Sequence, residues 1–142
     1  MGKVKDILRD KGNTVYSVES TIMVIRAIEL MCEKNIGGLL IVDSGKLEGI
    51  FTERDYARKL ILKGKSSMNT PISELMTKNP FTIAPDNTIE DCMDMMTSRH
   101  IRHLPVVDGD KLIGIISIGD VVKHIIEEQK DIIEHLENYI SR

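Results

Sequence analysis

Aromatic residues and excess positive charge are both scarce in this sequence of 142 residues. It has no tryptophan, aromatic side chains make up 4% of it, and its formal net charge is −3. Proteins that bind nucleic acids need basic residues to contact the phosphates, and those that bind single strands also stack bases on aromatic rings. The composition therefore predicts no nucleic-acid partner.

Long hydrophobic runs and cysteine motifs are missing as well. No apolar run approaches the roughly 18 residues that a membrane-spanning helix requires, and residues 1–10 lack the apolar stretch of a signal peptide. The two cysteines, Cys32 and Cys92, form no Cys-x-x-Cys motif, and each lies in a stretch with helical apolar periodicity. We therefore expect a cytoplasmic protein, without a membrane partner, whose two thiols are buried and reduced.

Groups for metal binding and for catalysis are also too few. His100 and His103 are three residues apart, but no cysteine or carboxylate completes a ligand set around them. The sequence offers no convincing nucleophile paired with a base, which covalent catalysis requires. We therefore expect no metal site, no catalytic cofactor and no enzymatic activity.

What the sequence does contain is an internal repeat. Residues 16–60 recur 65 positions later as residues 81–125, and Leu39–Asp55 aligns with Leu104–Asp120 without a gap. The identical pairs in that alignment are Leu39/Leu104, Val42/Val107, Asp43/Asp108, Lys46/Lys111, Leu47/Leu112, Gly49/Gly114, Ile50/Ile115 and Asp55/Asp120. Such a repeat indicates two copies of one supersecondary unit.

Each copy shows the same succession of hydrophobic periods, which predicts a β-α-β-β-α unit. The strands are predicted at Val15–Val18, Leu39–Asp43 and Leu47–Thr52, and at Phe81–Ala84, Leu104–Asp108 and Leu112–Ser117. The helices are predicted at Ile22–Lys34 and Asn87–Arg99, and again from Thr52 and from Ser117 onwards. The fold class is therefore α+β, with two tandem repeats related by pseudo-two-fold symmetry and small sheets packed with helices.

The repeat also divides the chain into segments. These are a first repeat at 4–63, a linker at 64–71, a second repeat at 72–126 and a C-terminal helical extension at 127–142. Val4–Leu8 matches Ile72–Met76, but at an offset of 68 residues, and is interpreted as a short helical lead-in that ends at Gly12.

The helical extension keeps apolar residues on one side beyond the second repeat. A seam with alternating spacings of four and three residues runs through Ile125, Gln129, Ile132, Leu136 and Tyr139. This spacing is typical of a coiled coil. The extension also has an apolar stripe that consists of Ile132, Ile133, Leu136 and Ile140. This stripe predicts a homodimer, unless the helix folds back on its own repeat.

The motif Gly-h-h-Thr/Ser-x-x-Asp, in which h is apolar, occurs once in each copy. It reads Gly49-Ile50-Phe51-Thr52-Glu53-Arg54-Asp55 and Gly114-Ile115-Ile116-Ser117-Ile118-Gly119-Asp120. Each motif places a hydroxyl at the end of a strand and a carboxylate in the first turn of the following helix. One explanation is a helix cap. The other is a binding site in which the helix start holds a phosphate and the carboxylate accepts from ribose hydroxyls.

Both copies resemble the cystathionine-β-synthase (CBS) domain, and from Val4 to Ile126 the chain resembles a stand-alone CBS pair, or Bateman module. The resemblance rests on two correctly spaced copies of the motif. It implies a sensor that binds an adenine nucleotide in the cleft between its repeats and relays the occupancy of that cleft to a protein effector. AMP is the first candidate ligand, followed by ADP, ATP and NAD, and the resemblance also implies a homodimer.

The same resemblance implies the residues that hold the ribose and the phosphate. Asp55 and Asp120 would accept hydrogen bonds from ribose hydroxyls, and Thr52 and Ser117 would lie beside ribose and phosphate. Arg54, in the first copy, would contact phosphate or else pair with an acid on the surface.

The two implied sites are not equivalent. The residues implied to frame the base or line the sites are Ser17, Val18, Thr82, Ile83 and Pro105. Before the second strand of each repeat, one copy has Gly37-Gly38 and the other Arg102-His103. The basic pair would contact phosphate, unless it is a solvated charge followed by a packing residue. The second copy is therefore the better candidate for a phosphorylated ligand.

Two other interpretations remain open at the level of the sequence. The chain would be a protein-interaction scaffold if the clefts are empty and the motifs are only helix caps. It would instead bind S-adenosylmethionine or another adenosine ligand without a phosphate if Asp120 is required for binding and Arg102 is not.

Overall fold

The computed structural model of this chain describes residues 2–141. The helices are α1 (Val4–Lys11), α2 (Val24–Lys34), α3 (Glu53–Asp55), α4 (Ile89–Arg99) and α5 (Ile118–Ile140), with a π-helix at Tyr56–Ile61 directly after α3 and a 3₁₀ turn at Ile72–Glu74. The strands are β1 (Ser17–Val18), β2 (Gly38–Asp43), β3 (Lys46–Thr52), β4 (Thr77–Lys78), β5 (His103–Asp108) and β6 (Lys111–Ser117). The order of these elements confirms an α+β fold with two tandem repeats.

The strand pairs of the two repeats have the same register. Hairpin β2–β3 pairs Gly38 with Thr52, and hairpin β5–β6 pairs His103 with Ser117. Both ladders shift register at equivalent places, before Val42 in one and before Val107 in the other. The repeat in the sequence is therefore a repeat in three dimensions down to the irregularity of the hairpin.

The strands outside the hairpins differ between the repeats. Within residues 2–141, the first repeat has a four-stranded sheet in the order β1-β2-β3-β4, and the second has only the pair β5-β6. The strand predicted at Val15–Val18 is present but shortened to β1. The prediction of a strand at Phe81–Ala84 is wrong, because Ile83 is the only one of these residues that forms a bridge, to Val106. The N–H of Ala84 donates to the side chain of Asn87 at 2.8 Å, which diverts the backbone into a turn.

The chain forms two compact units that do not follow its linear order. One unit contains the chain up to Thr14 together with the chain from Thr82 onwards, and the other is Val15–Phe81. Helix α1, which precedes the first repeat, thus belongs with the second, and the segment Ile72–Met76 belongs with the first. We call Val4–Leu8 and Ile72–Met76 the two lead-in segments, and each of them packs on the repeat that it does not directly precede.

Each lead-in segment packs closely against a glycine of its unit. A Cβ at Gly114 would lie 2.7 Å from Cδ2 of Leu8, and a Cβ at Gly49 would lie 2.7 Å from Sδ of Met76 and 2.8 Å from the backbone oxygen of Thr77. Contacts this short leave no room for a side chain at either position. Leu8 and Met76 are matched at the offset of 68 residues, so that offset reflects equivalent packing on equivalent strands.

The two cysteines lie in different environments. Cys92 is fully buried in the core of its unit, and burial raises the pKa of its thiol to about 11. Cys32 is exposed, so the prediction that both thiols are buried is wrong for this one. Helix α2 buries Val24, Ala27 and Met31, and Cys32 follows Met31 by about 100° of helix rotation, away from the buried stripe.

Helix α5 extends well beyond the unit that it begins in. Val121 is buried in the core, Ile125 packs against that core, and every side chain from Gln129 to Ile140 is exposed. The helix predicted for the extension is therefore present, while Arg142, its last residue, lies outside the described residues. Over residues 2–141, no helix is both long enough and apolar enough to span a membrane.

Candidate functional site

The first motif forms a reciprocal cap at the start of α3. Oγ1 of Thr52 accepts from the backbone N–H of Asp55 at 3.3 Å, and Oδ2 of Asp55 accepts from the backbone N–H of Thr52 at 3.0 Å. The hydroxyl of Thr52 also donates to the same carboxylate oxygen at 3.2 Å. Each residue satisfies a backbone group that the helix start would leave without a partner.

The second oxygen of Asp55 is also occupied. Oδ1 accepts from the hydroxyl of Thr77 at 3.2 Å and lies 3.1 Å from Nζ of Lys59. Asp55 is only 8% exposed, and it is the only buried charged residue among residues 2–141. Both carboxylate oxygens are therefore held by neighbouring side chains or backbone in a site with little access to solvent.

The second motif forms the same cap at the start of α5, but a different side chain contacts its carboxylate. Oγ of Ser117 accepts from the N–H of Asp120 at 3.1 Å, and Oδ2 of Asp120 accepts from the N–H of Ser117 at 2.8 Å. The same Oδ2 accepts from Nζ of Lys11 at 2.8 Å. Within residues 2–141, no hydrogen bond reaches Oδ1 of Asp120, whose side chain is 23% exposed.

The charge of Asp120 is stabilised by this arrangement. Partial burial acts to raise the pKa of Asp120, but the hydrogen bonds from Lys11 and from the backbone of Ser117, with the positive charge of Lys11, outweigh burial and lower it. Asp120 is therefore a fixed anion at neutral pH, with Oδ2 anchored by Ser117 and Lys11 and Oδ1 without a hydrogen bond within residues 2–141.

The two lysines at these carboxylates were not predicted from the sequence. Lys11 also donates to the backbone oxygen of Ile115 at 2.8 Å, and Lys59 donates to the backbone oxygen of Leu75 at 3.1 Å. Lys59 is aligned with His124 in the repeat, whereas Lys11 comes from the lead-in helix. Because the two lysines occupy unrelated positions, the repeat carries no signal for either of them.

The basic pair, in which Arg102 precedes β5 and His103 is its first residue, adjoins the start of α5. The backbone oxygen of Arg102 accepts from the N–H of Ile118 at 2.8 Å, just as that of Gly37 accepts from Glu53 at 3.1 Å. His103 pairs with Ser117 across the hairpin, and Arg102 is exposed. The structure thus brings Arg102 and His103 next to the Ser117–Asp120 cap.

The residues expected to frame the base divide between the two units. Ile83 donates its N–H to the backbone oxygen of Pro105 at 3.0 Å, and both residues are buried. Thr82, beside Ile83, is exposed. In the other unit, Ser17 and Val18 form β1 and pair with β2. Arg54 lies between Thr52 and Asp55 in the first cap and is partly buried.

A separate cavity of about 270 Å³ lies in the unit of the first repeat. Its lining residues are Ile28, Met31, Cys32, Asn35, Ile36, Gly37, Phe51, Glu53 and Tyr56. This lining is mostly apolar and contains none of the residues expected to contact nucleotide. No group of three or more His, Cys, Asp or Glu side chains that could hold a metal occurs in residues 2–141.

Comparisons with known proteins agree with this architecture. A family model for the CBS domain matches residues 4–62 and 72–127. The CBS domain-containing protein CBSX3, mitochondrial, of Arabidopsis thaliana is 34% identical over 97% of this chain and 71% of its own length. The structure of a protein with CBS domains from Burkholderia ambifaria MC40-6 is 48% identical, with a TM-score of 0.86 over 89% of this chain and 96% of that one.

Similar structures of one CBS domain pair contain ligands. The CBS domain pair of protein MJ0100, in complex with 5′-methylthioadenosine and S-adenosyl-L-methionine, is 31% identical to this chain. Its TM-score is 0.80, and the match covers 90% of this chain and 98% of that one. Both of those ligands contain adenosine, and neither contains a phosphate.

Proposed function

The chain belongs to the CBS-domain family as a CBS pair, a regulatory module, and from this membership we propose that it senses an adenosine-containing ligand. In this proposal the ligand binds at the Ser117–Asp120 cap in preference to the Thr52–Asp55 cap. The module is not a catalyst, and its output is a change of conformation that a partner protein recognises.

The state of the Asp120 carboxylate is the observation that carries the proposal. Its Oδ2 is anchored by Ser117 and Lys11, and its Oδ1 accepts no hydrogen bond within residues 2–141. A carboxylate that is charged, oriented and accessible is suited to accept hydrogen bonds from two vicinal ribose hydroxyls. The adenosine ligands of the similar MJ0100 pair support the same chemistry.

The identity of the group attached to adenosine separates two versions of the proposal. AMP is our first candidate, with ADP, ATP and NAD as further ones, because Arg102 and His103 adjoin the Asp120 cap and can contact phosphate. The alternative is S-adenosylmethionine or methylthioadenosine, which the MJ0100 complex favours. In that case Arg102→Ala leaves the affinity unchanged, whereas with AMP it weakens binding.

A regulatory output requires two states with different affinities for the ligand. A ligand shifts such an equilibrium only by the difference between its binding free energies to the two states. We propose that the chain acts as a homodimer and that the ligand-bound state is read by a protein effector.

Thermal unfolding with a panel of ligands tests this proposal. AMP, ADP, ATP, NAD, S-adenosylmethionine and methylthioadenosine form the panel, and GMP and ribose 5-phosphate serve as controls without adenine. A ligand at 100 times its dissociation constant stabilises the folded state by about 2.7 kcal/mol. We expect at least one adenosine compound to raise the melting temperature while the controls do not. No shift with any of them at millimolar concentration would contradict the sensing proposal and leave the scaffold interpretation.

A further inference from the structure

Helix α5 carries an exposed apolar stripe along most of its 23 residues, a length of roughly 34 Å. The stripe consists of Val122, Ile126, Ile133, Leu136 and Ile140, with exposures between 47% and 79%. With Gln129 included, consecutive members are separated alternately by four and three residues. This is the spacing of the contact seam in a two-helix coiled coil.

The seam expected from the sequence included Ile125, which packs against the core of its own unit, so the exposed stripe defines a different heptad register for the helix. The a positions are Ile126, Ile133 and Ile140, and the d positions are Val122, Gln129 and Leu136. The flanking g positions are Ile125, Ile132 and Tyr139, and the flanking e positions are Lys123, Lys130 and Glu137. One flank of the seam is therefore uncharged and largely apolar, with Ile125 packed against the core of its own unit, and the other flank is entirely charged.

We propose that this surface binds the α5 helix of a second copy in an antiparallel orientation. The inference rests on the homodimer proposed above and specifies its contact. The fullest overlap places Val122 opposite Ile140 of the second copy, and Ile126 opposite Leu136 of the second copy. Each of these pairs occurs twice because the arrangement has a two-fold axis.

The asymmetry of the two flanks selects this orientation. In an antiparallel pair, g positions face g positions and e positions face e positions, so the apolar flank meets its own copy. Ile132 then faces Ile132 of the second copy, and Lys123 faces Glu137 of the second copy. In a parallel pair, g positions face e positions, which sets Ile132 against Glu137 and leaves a charge beside an apolar side chain on both flanks.

The centre of the seam contains its two polar members. Gln129 lies within one helical turn of the two-fold axis, where this register places it opposite Ile133 of the second copy. Lys130 meets Lys130 of the second copy, but its long side chain can extend into solvent, and Glu134 four residues on provides a partner on the same helix.

Disulfide trapping distinguishes the two orientations. Ile132→Cys and Ile133→Cys are introduced separately into the full chain carrying Cys32→Ser, while Cys92 is left in place because it is buried. The replaced side chains are similarly exposed, at 48% and 53%, so each variant is a control for folding of the other. Both are oxidised at a concentration where light scattering gives the mass of a dimer.

We expect the Ile132→Cys variant to form a covalent dimer at least about tenfold faster than the Ile133→Cys variant. Faster trapping through Ile133→Cys would mean a parallel pair and would overturn the proposal. A dimeric mass with no trapping in either variant would place the dimer contact elsewhere and leave the homodimer intact. A monomeric mass would overturn both the homodimer and this contact.

Exchange of charges on the other flank provides a second test. Lys123→Glu and Glu137→Lys each place like charges together twice in the antiparallel dimer, and each should weaken dimerisation about fivefold at low salt, while the double variant restores it. Sedimentation equilibrium measures the three dissociation constants. Single variants that dimerise as tightly as the parent chain would contradict the antiparallel contact.

Discussion

The caps of Asp55 and Asp120 are built from the same motif but leave their carboxylates in different states. Asp55 is 8% exposed and accepts hydrogen bonds or ion pairs at both oxygens, whereas Asp120 is partly exposed and is held at Oδ2 alone. The difference arises outside the motif. Thr77 and Lys59 contact Asp55, and Lys11 contacts Asp120. A duplicated motif thus fixes the helix start, and its unduplicated surroundings decide how many groups hold the carboxylate.

The lead-in segments account for most of this contrast. Beside the first repeat, the chain forms β4, which brings Thr77 to Asp55 and pairs with Gly49 and Ile50 of β3. Beside the second repeat, the equivalent place is occupied by α1, whose last residue is Lys11. A strand adds backbone and a short hydroxyl side chain, whereas a helix adds one long lysine side chain. Within residues 2–141, Oδ1 of Asp120 therefore has no hydrogen bond.

The largest effect is expected from alanine at the two glycines beneath the lead-in segments. A Cβ at Gly49 would meet the backbone oxygen of Thr77, which cannot rotate away, while a Cβ at Gly114 would meet only side-chain atoms of Leu8. Overpacking of this kind costs about 3 kcal/mol of unfolding free energy for Gly49→Ala and about 1 to 2 kcal/mol for Gly114→Ala. Urea unfolding measures both, and a larger loss for Gly114→Ala would contradict the difference between the lead-ins.

Replacement of each carboxylate by its isosteric amide comes next. Asp55→Asn places an amide among donors in a buried site and should cost about 2 kcal/mol, whereas Asp120→Asn, which is more exposed and screened by solvent, should cost about 1 kcal/mol. The free energies of unfolding in urea at pH 7 give the comparison. Equal costs would show that the two carboxylates do not differ as described.

The stability supplied by Asp120 should depend on pH. Since the folded protein lowers the pKa of Asp120 below its ordinary value of 3.8, this contribution is complete above that value and is lost as the pH falls through the folded pKa. The difference in unfolding free energy between the parent chain and Asp120→Asn should therefore be constant from pH 7 to about pH 5 and shrink below pH 4. A difference that grows on acidification would contradict a lowered pKa of Asp120 in the folded protein.

The smallest effect is expected from the lysines themselves. Lys11→Met and Lys59→Met remove partly exposed ion pairs, and each should cost about 0.5 to 1 kcal/mol of unfolding free energy. In Lys11→Met the pKa of Asp120 should rise, because the hydrogen bond and the positive charge of Lys11 both lower it. An NMR titration of the carboxyl carbon measures this, and Lys59→Met is the matched control that should leave the pKa of Asp120 unchanged.

Local features of the candidate sites could be predicted from the sequence. A hydroxyl followed three residues later by a carboxylate, at the end of an apolar strand, predicts a reciprocal cap, and both caps form as the spacing requires. The helix at 127–140 and the two hairpins also follow from local periodicity. These features depend on residues that are neighbours in the sequence.

Features that depend on distant contacts could not be predicted in the same way. The match between Val4–Leu8 and Ile72–Met76 was visible, but only the contacts with Gly114 and Gly49 show that each segment packs on the other repeat. Lys11 reaches Asp120 across 109 positions of sequence. Cys32 has the apolar neighbours of a buried residue and is exposed, because periodicity defines a helical stripe only to within about one residue.

The strand expected at Phe81–Ala84 shows a competition between two local preferences. Its residues favour an extended backbone, but Pro85 follows immediately and Asn87 offers a side-chain acceptor to Ala84. The turn formed by these residues takes the N–H that a longer ladder would have used. The apolar pattern alone does not indicate this competing hydrogen bond.

Calorimetric titration of AMP and of methylthioadenosine into the parent chain, Asp55→Asn and Asp120→Asn tests most directly the claim that the two duplicated caps differ in their ability to bind adenosine. Loss of charge-assisted hydrogen bonds to ribose should weaken binding at least about tenfold in Asp120→Asn and less than about threefold in Asp55→Asn. The reverse order, or unchanged affinity in Asp120→Asn, would contradict the account.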